Sequence, residues 1–100
     1  MPAIHDLIRI SDDGYSLSEI ATPRQLIGKT LAQSHIRKNY GLNIVGIKRR
    51  TRKFLQDGTE HYQEIVNHSP GPNDLLQDKD ILICIGTIEQ IESFAALDRP

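Results

Sequence analysis

Three stretches of the chain have the hydrophobic pattern of β-strands. Apolar and polar side chains alternate over residues 15–22, YSLSEIAT, which predicts a strand with Tyr15 and Leu17 on one face. The mainly apolar run LNIVGIKR, residues 42–49, predicts a second strand in the interior of a sheet. Residues 80–86, DILICIG, are the most apolar run and predict a third strand. Regular alternation in the second strand would place Asn43, Val45 and Ile47 on one face, and Ile44, Gly46 and Lys48 on the other.

Two further segments have the spacing of helices. Apolar residues predict a helix from residue 29 or 30 to residue 40, closed by Gly41 as its C-terminal cap. Thr87 is the expected N-cap of a second helix over residues 88–97, in which Gln90 would point outward. The inner face of this second helix is predicted to carry Ile88, Ile91, Phe94 and Leu97.

The remaining segments carry turn signals. SDDGYS indicates that residues 1–14 are an irregular lead-in to a folded domain over residues 15–100. The pair Asp-Gly at residues 57–58 favours a tight turn between two strand-like pieces. NHSPGPND, residues 67–74, is predicted to be a loop, because its prolines and glycine prevent regular structure.

Length and charge exclude several classes of protein. One hundred residues support one domain with a single modest core. Twelve Lys and Arg against thirteen Asp and Glu give a net charge of −1, whereas a dedicated nucleic-acid-binding domain usually carries a clear excess of positive charge. The lone Cys84 cannot form an internal disulfide, and no segment approaches the roughly 20 apolar residues of a membrane span. We therefore expect a cytosolic domain that does not insert into a membrane.

Residues suited to metal binding or catalysis are few. His61 and His68 lie seven positions apart, a poor spacing for two metal ligands on one strand or helix. GKT at residues 28–30 is similar to the end of a phosphate-binding loop, but Pro23 stands where that motif requires glycine. Cys84 lies in an apolar run, and no serine has an evident base beside it. The sequence therefore predicts neither a metal site nor an enzyme.

Five basic residues fall within KRRTRK, residues 48–53. One interpretation is a solvated hairpin whose cations lie beside acidic residues 57, 60 and 64. The other is an anion-binding surface for nucleic acid or for a smaller phosphate ligand. Phe54 is the only aromatic residue beside the run, whereas proteins that bind single strands usually offer a stacking platform. The hairpin interpretation is favoured, and we expect no nucleic-acid partner.

Four motifs, in a fixed order between about residue 16 and residue 95, together resemble one known family. They are LIGKTLA, IRKNYGLNIVGIKR, P-x-x-LLQDKDILICIGT and IEQI. In this order they resemble the C-terminal domain of the regulator of potassium conductance (RCK) family, also called the TrkA C-terminal domain, and YGLNIVGIKR is most similar to the cytosolic gating subunits of Ktr and Trk potassium uptake systems. The chain departs from many members by a longer hairpin over residues 50–68.

The resemblance implies an α+β fold, in which helices cap a small mixed or antiparallel sheet, and it implies a homodimer. It also implies a regulatory role, without enzymatic activity, in which the full-length regulator contacts a membrane potassium transporter subunit from the cytosol. Full-length relatives carry a Rossmann domain with a glycine-rich fingerprint, and G-x-G-x-x-G does not occur in this sequence. ATP, ADP and NAD are therefore not expected as cofactors. Two alternatives stay open, a domain that only dimerises and a regulator of another ion transporter.

Several related regulators bind cyclic di-AMP between two copies of this domain, and the resemblance carries that ligand site to matching positions. Arg37 would bind a phosphate with its planar fork of donors, and Asn43 would contact an adenine edge or a ribose. A simpler interpretation is that Arg37 stabilises the helix C-terminus and Asn43 satisfies the turn after Gly41. The implied site residues are Leu31, Ile36, Arg37, Asn43, Ile44, Pro70 and Pro72.

Overall fold

The computed structural model describes residues 4–98 and arranges them as a five-stranded antiparallel sheet with helices against one face. The elements are β1 (Ile4–Arg9), β2 (Tyr15–Ala21), α1 (Leu31–Ser34), α2 (Ile36–Tyr40), β3 (Asn43–Phe54), β4 (Glu60–Asn67), β5 (Ile81–Thr87) and α3 (Ile88–Ala95), with short 3₁₀ turns at Arg24–Leu26 and Ala96–Asp98. The strand order is β1-β2-β5-β3-β4, so β5 is central. The predicted α+β fold is confirmed. None of the helices in this described range is long and apolar enough to cross a membrane.

β2 and β5 direct alternate side chains toward the helices. Leu82 and Cys84 of β5 are fully buried there, and so are Ser18 and Ile20 of β2. The Ser18 hydroxyl donates to the carbonyl of Asp6 at 2.9 Å, so this buried polar group keeps a partner. The side chains of α3 complete the same core. The buried hydrophobic residues are Ile20, Leu26, Ile36, Leu42, Ile47, Leu76, Leu82, Cys84, Ile91, Phe94 and Ala95.

Residues 4–9 form an edge strand rather than an irregular lead-in. β1 pairs antiparallel with β2, and Ile8 lies opposite Leu17. Most β1 side chains are exposed, so the segment lacks the hydrophobic alternation that identifies a half-buried strand. The predicted irregular structure is therefore wrong for these residues. Residues 1–3 lie outside the described part of the chain, and the start of the domain at residue 15 stays a prediction.

A β-bulge interrupts the alternation of β3. Ile44 lies opposite Cys84 and Gly46 lies opposite Ile83, which leaves Val45 as an extra residue between them. A Cβ atom on Gly46 would lie only 2.9 Å from Ile83 Cδ1, so glycine permits the close approach of the two strands. The side chains on the two sides of a bulge do not continue one alternation. The predicted division of this strand into two faces is therefore wrong.

The single helix predicted over residues 29–40 is divided into α1 and α2 at His35. His35 has a left-handed backbone, with φ of 52° and ψ of 32°, and it ends α1. The buried Ser34 donates its hydroxyl to the Leu31 carbonyl at 2.5 Å, and such a bond competes with the regular helical hydrogen bond. The prediction of one continuous helix is wrong, whereas Gly41 closes α2 as expected, with φ of 72°.

β3 and β4 form the predicted hairpin around residues 57–58. The carboxylate of Asp57 accepts a hydrogen bond from the Thr59 backbone at 2.9 Å, which fixes the turn. β5 pairs with β3 only as far as Lys48. The two strands therefore continue past the sheet as a two-stranded ribbon, residues 49–65, with mostly exposed side chains.

α3 begins at the predicted N-cap. The Thr87 hydroxyl accepts from the Gln90 backbone at 3.2 Å, and the Gln90 side chain accepts from the Thr87 backbone at 2.9 Å, which is a capping box. Gln90 therefore reaches back to the start of the helix, and the prediction that it points outward is wrong. Ile91 and Phe94 are buried as expected for the inner face.

Candidate functional site

A surface pocket of about 370 Å³ lies where α1 and α2 meet the start of β3 and the loop over residues 70–72. Its volume is in the range of small-molecule sites, which are clefts of roughly 300–1,000 Å³. The seven residues implied by the family resemblance all line this pocket, together with four others. The lining residues are Leu31, Ala32, His35, Ile36, Arg37, Lys38, Leu42, Asn43, Ile44, Pro70 and Pro72.

Backbone hydrogen bonds join the proline loop to the start of α1. The N–H of Leu31 donates to the Asp74 carbonyl at 2.8 Å, and the N–H of Ala32 donates to the Pro72 carbonyl at 3.0 Å. The first N–H groups of a helix lack partners within it, so the loop supplies the missing acceptors. These two bonds place Pro72 beside residues that precede it by forty positions.

The proline loop is folded around one carboxylate. Asp74 Oδ2 accepts a hydrogen bond from the Gly71 backbone at 2.6 Å and another from the Asn67 side chain at 3.1 Å. The Asp74 backbone N–H in turn donates to the Gly71 carbonyl at 3.1 Å. Fixed in this way, the loop forms one wall of the pocket.

Aliphatic side chains form the base of the pocket. Ile36 and Leu42 belong to the hydrophobic core, with exposed fractions of 2% and 0%. Leu31 and Ile44 are half-buried and pack against that core. A rigid apolar surface of this kind suits the flat face of an aromatic ring.

The rim of the pocket is cationic. Arg37 and Lys38 are exposed in the last turn of α2, and no Asp or Glu of the described residues lines the pocket. No carboxylate within residues 4–97 forms an ion pair with either side chain. Cations at this position also interact favourably with the C-terminus of a helix, but a helix of five residues makes that contribution small. The arrangement can therefore receive an anion attached to an apolar ring.

Four lining residues were not identified from the sequence. Ala32 and Leu42 are neighbours of predicted residues, and Lys38 directly follows the predicted Arg37. His35 lines the pocket because the chain breaks there into a left-handed conformation, for which the sequence offers no glycine or proline signal. The structure thus brings all seven predicted residues together, and their role in binding a ligand stays a prediction.

The basic run at residues 48–53 lies in the hairpin, away from this pocket. Arg49 Nε and Nη2 donate to the buried Asp80 carboxylate at 3.0 and 2.9 Å. Hydrogen bonding to that carboxylate raises the pKa of Arg49 above its ordinary value, and the Glu19 carboxylate raises the pKa of Lys48 in the same way. The remaining close contacts are Lys48 with Glu19 at 2.7 Å, Lys48 with Glu64 at 3.8 Å, Arg52 with Glu60 at 2.6 Å, and Arg50 over the ring of Tyr62 at 5.6 Å.

These contacts favour the hairpin interpretation of the basic run. The predicted acidic neighbours Glu60 and Glu64 do lie beside the cations, whereas Asp57 bonds to Thr59 in the turn. Most cations of the run are therefore already in contact with a carboxylate or an aromatic ring, so few are left to bind an extended anionic partner.

The other candidate groups do not form a site in the described range. Within residues 4–97, no three His, Cys, Asp or Glu side chains are grouped so that they could hold a metal ion. Cys84 is fully buried as predicted, and desolvation raises the pKa of its thiol to about 12. Since the thiolate is the nucleophilic form, this cysteine is inert at neutral pH.

The chain is similar in sequence to two potassium uptake proteins. The chain is 37% identical over 89 residues to Ktr system potassium uptake protein C of Bacillus subtilis, a match covering 89% of the chain and 34% of that protein. It is 30% identical over 87 residues to Ktr system potassium uptake protein A of the same organism, covering 87% and 33%. The chain thus spans about a third of the length of these relatives. No protein-family model matches it.

Solved structures of RCK domains have a fold similar to that of this chain. The RCK C domain of the potassium transport protein KtrA, solved in complex with cyclic di-AMP, is 31% identical and superimposes with a TM-score of 0.61 over 83% of this chain and 82% of that one. The GsuK RCK domain is 28% identical, with a TM-score of 0.61 over 86% of this chain and 16% of that one. The GsuK channel bound to NAD is 29% identical, with a TM-score of 0.59 over 82% and 13%.

The fold and the shared sequence together define a C-terminal domain of a regulator of K⁺ conductance. The chain belongs to the RCK C-domain family and is homologous to the Ktr system potassium uptake proteins. The resemblance drawn from its four sequence motifs is therefore confirmed.

Proposed function

We propose that this chain is a regulatory domain of a potassium transport system, and that two copies of it bind one cyclic di-AMP across a two-fold axis. One observation carries the proposal. Seven residues chosen from sequence alone line a single pocket, whose described lining has an apolar base, two cations and no carboxylate. The KtrA RCK C domain, which was solved with cyclic di-AMP, supports the choice of ligand.

The chemistry of the pocket suits both parts of that ligand. The planar guanidinium of Arg37 can hold a phosphate through two parallel hydrogen bonds. The side-chain amide of Asn43 both donates and accepts, as recognition of an adenine edge requires. Leu31 and Ile44, which are half-buried, offer aliphatic surface to the face of the purine.

The symmetry of cyclic di-AMP favours binding at a dimer axis. In an isologous interface the same surface is presented twice, so one set of side chains meets both phosphates and both adenines. Two copies joined at this pocket would also bring Arg37 and Lys38 of each copy toward their equivalents. The two negative charges of the ligand would relieve that repulsion, and binding would therefore strengthen the dimer.

Thermal melting with and without ligand tests the proposal. Cyclic di-AMP should raise the melting temperature increasingly as its excess over the protein grows. Arg37→Ala should lose more affinity than Asn43→Ala, because a hydrogen bond to a charged group contributes about 1.5–3 kcal/mol and a neutral one about 1 kcal/mol. Arg52→Ala, in the hairpin outside the pocket, is the matched control and should shift like the wild type.

Sedimentation tests the dimer separately. At micromolar concentration the domain should sediment at about twice the chain mass of 11.3 kDa. A monomer under these conditions, with and without cyclic di-AMP, would reject the two-fold site.

The proposed function also involves a partner outside this domain. A membrane potassium transporter subunit is the proposed partner, contacted through the full-length regulator in the cytosol, and the Ktr relatives support it by name.

No catalysis is proposed. NAD is bound to the GsuK channel, but this sequence lacks the G-x-G-x-x-G fingerprint, so NAD is not proposed as its ligand. A ligand-free domain that only dimerises is the second candidate, and the melting experiment separates the two.

A further inference from the structure

Lys38 is a pocket residue to which the family resemblance assigns no role. It follows Arg37 in α2, and both exposed side chains line the same cavity. α2 is only five residues long and begins immediately after the left-handed residue His35. Ile36 lies on the core-facing side of this short helix, with an exposed fraction of 2%. The two following residues are thereby left at the rim of the pocket.

Arg37 and Lys38 offer different chemistry to an anion. The guanidinium is a planar fork that fixes the orientation of one phosphate, whereas the ammonium is a compact point charge on a flexible stem. The flexible ammonium can therefore contact a phosphate in several orientations, or it can balance the remaining negative charge of the ligand. No carboxylate in residues 4–97 pairs with Lys38, so its charge stays available.

We infer that Lys38 is a second anion-recognising residue of this site, and that each copy of the domain meets the ligand with one fork from Arg37 and one point charge from Lys38. This inference rests on the proposed function and deepens it. A dimer would then present four cations to the two phosphodiester charges of cyclic di-AMP. The excess of positive charge makes binding sensitive to salt, because dissolved ions screen exposed charges.

Three variants separate the charge of Lys38 from its packing. Lys38→Met keeps the aliphatic stem and removes the charge, Lys38→Arg keeps the charge, and Lys53→Met removes a cation of the hairpin that is not part of the pocket. Each variant is first shown to sediment like the wild type. Cyclic di-AMP is then titrated calorimetrically at several salt concentrations.

We expect Lys38→Met to weaken binding about a hundredfold, because the ligand loses one charge-assisted contact, about tenfold in affinity, from each of the two copies. Its affinity should also fall less steeply with added salt than that of the wild type. Lys38→Arg should restore both properties, and Lys53→Met should change neither. A purely structural role for Lys38 would leave the salt dependence unchanged.

The outcomes distinguish this inference from the proposed function. Tight binding by the wild type together with the same affinity and the same salt dependence for Lys38→Met would overturn the role of Lys38 and leave the cyclic di-AMP site standing. Failure of the dimeric wild type to bind cyclic di-AMP would overturn both.

Discussion

Arg49 and Asp80 form a two-pronged ion pair that joins β3 to the start of β5. Arg49 Nε and Nη2 lie 3.0 and 2.9 Å from the two carboxylate oxygens, and the Asp80 side chain has an exposed fraction of only 1%. Asp80 also accepts from the Gln77 backbone at 2.9 Å, while its carbonyl accepts from Thr22. Arg49 Nη2 further donates to the Leu75 carbonyl at 3.2 Å. One residue of the basic run thus fixes the segment that leads into the central strand.

Removal of Arg49 should be costly. Arg49→Met leaves the Asp80 carboxylate buried without its counter-charge, and breaking a buried pair in this way costs about 3 kcal/mol. Chemical denaturation of the wild type and the variant measures the loss in free energy of unfolding. Arg52→Met, whose ion pair with Glu60 is largely exposed, is the control and should cost less than about 1 kcal/mol.

A second variant checks the cause of that loss. In the Arg49→Met background, Asp80→Asn replaces the uncompensated charge with a neutral group that can still accept from the Gln77 backbone. It should recover part of the lost stability. An Arg49→Met variant as stable as the wild type would show that this ion pair does not hold the segment.

Gly86 should tolerate no side chain. A Cβ atom there would overlap Leu42 Cδ2 and would lie 2.8 Å from Gln90 Oε1, and Leu42 is fully buried. Gly86→Ala should therefore destabilise the fold by about 1–3 kcal/mol, the usual cost of overpacking a core. Gly71→Ala is the control, since its new methyl group would make only an ordinary 3.9 Å contact with Asp74. Equal melting temperatures for the two variants would contradict the packing described for this end of the sheet.

Burial of Cys84 predicts that stability falls in alkaline solution. Desolvation raises the pKa of the folded thiol to about 12 from an ordinary 9.0, so only the unfolded chain releases this proton between those values. The contribution is fully present below the unfolded pKa and is lost as pH rises toward the folded pKa, by up to about 1.4 kcal/mol per pH unit.

Denaturation of the wild type and Cys84→Ala between about pH 8 and pH 10 measures this contribution. The wild type should lose about 1 kcal/mol more than the variant over that interval. The interval stays below the raised pKa of Lys48, whose own loss would come at higher pH. Parallel curves for the two proteins would contradict the burial of the thiol.

The exposed cations of the ribbon should be dispensable for folding. Replacing Arg50, Arg52 and Lys53 by Gln removes surface charge, one exposed ion pair and the exposed contact of Arg50 with Tyr62, which together contribute about 1–2 kcal/mol or less. Melting and sedimentation should be close to those of the wild type. Tight binding of DNA or RNA that weakens steeply with salt and vanishes in the triple variant would instead support a nucleic-acid surface.

The parts of the fold that sequence predicted well have local causes. Gly41 adopts the left-handed conformation that ends a helix, and Thr87 forms the capping box that begins one. The apolar run around Cys84 forms the strand that its hydrophobicity predicts. Each of these features is decided by residues close together in the chain.

The parts that were mispredicted depend on tertiary contacts or on local rules that compete. His35 carries no signal for a left-handed backbone, and the break is accompanied by the bond from Ser34 to Leu31. Gly46 could have indicated the bulge, because glycine within a strand often marks one. However, the position requires glycine because a side chain there would be too close to Ile83 on the neighbouring strand. Alternation alone could not contain that information.

The candidate site was also predicted only in part from the sequence. The resemblance selected residues on α1, α2, β3 and the proline loop, and the structure explains their meeting through the hydrogen bonds from Leu31 and Ala32 to that loop. Lys38 was missed because a cation in a last helical turn already has a sufficient local explanation. Only the geometry of the pocket gives it a second role.

Calorimetric stoichiometry tests the central claim most directly. Cyclic di-AMP is titrated into a sample shown by sedimentation to be dimeric, and the heat gives the number of ligands for each chain. We expect one ligand for two chains, since a single symmetric molecule on the two-fold axis fills both copies of the pocket. The absence of heat at high micromolar ligand, or saturation at one ligand for each chain, would contradict a shared site between two copies of this domain.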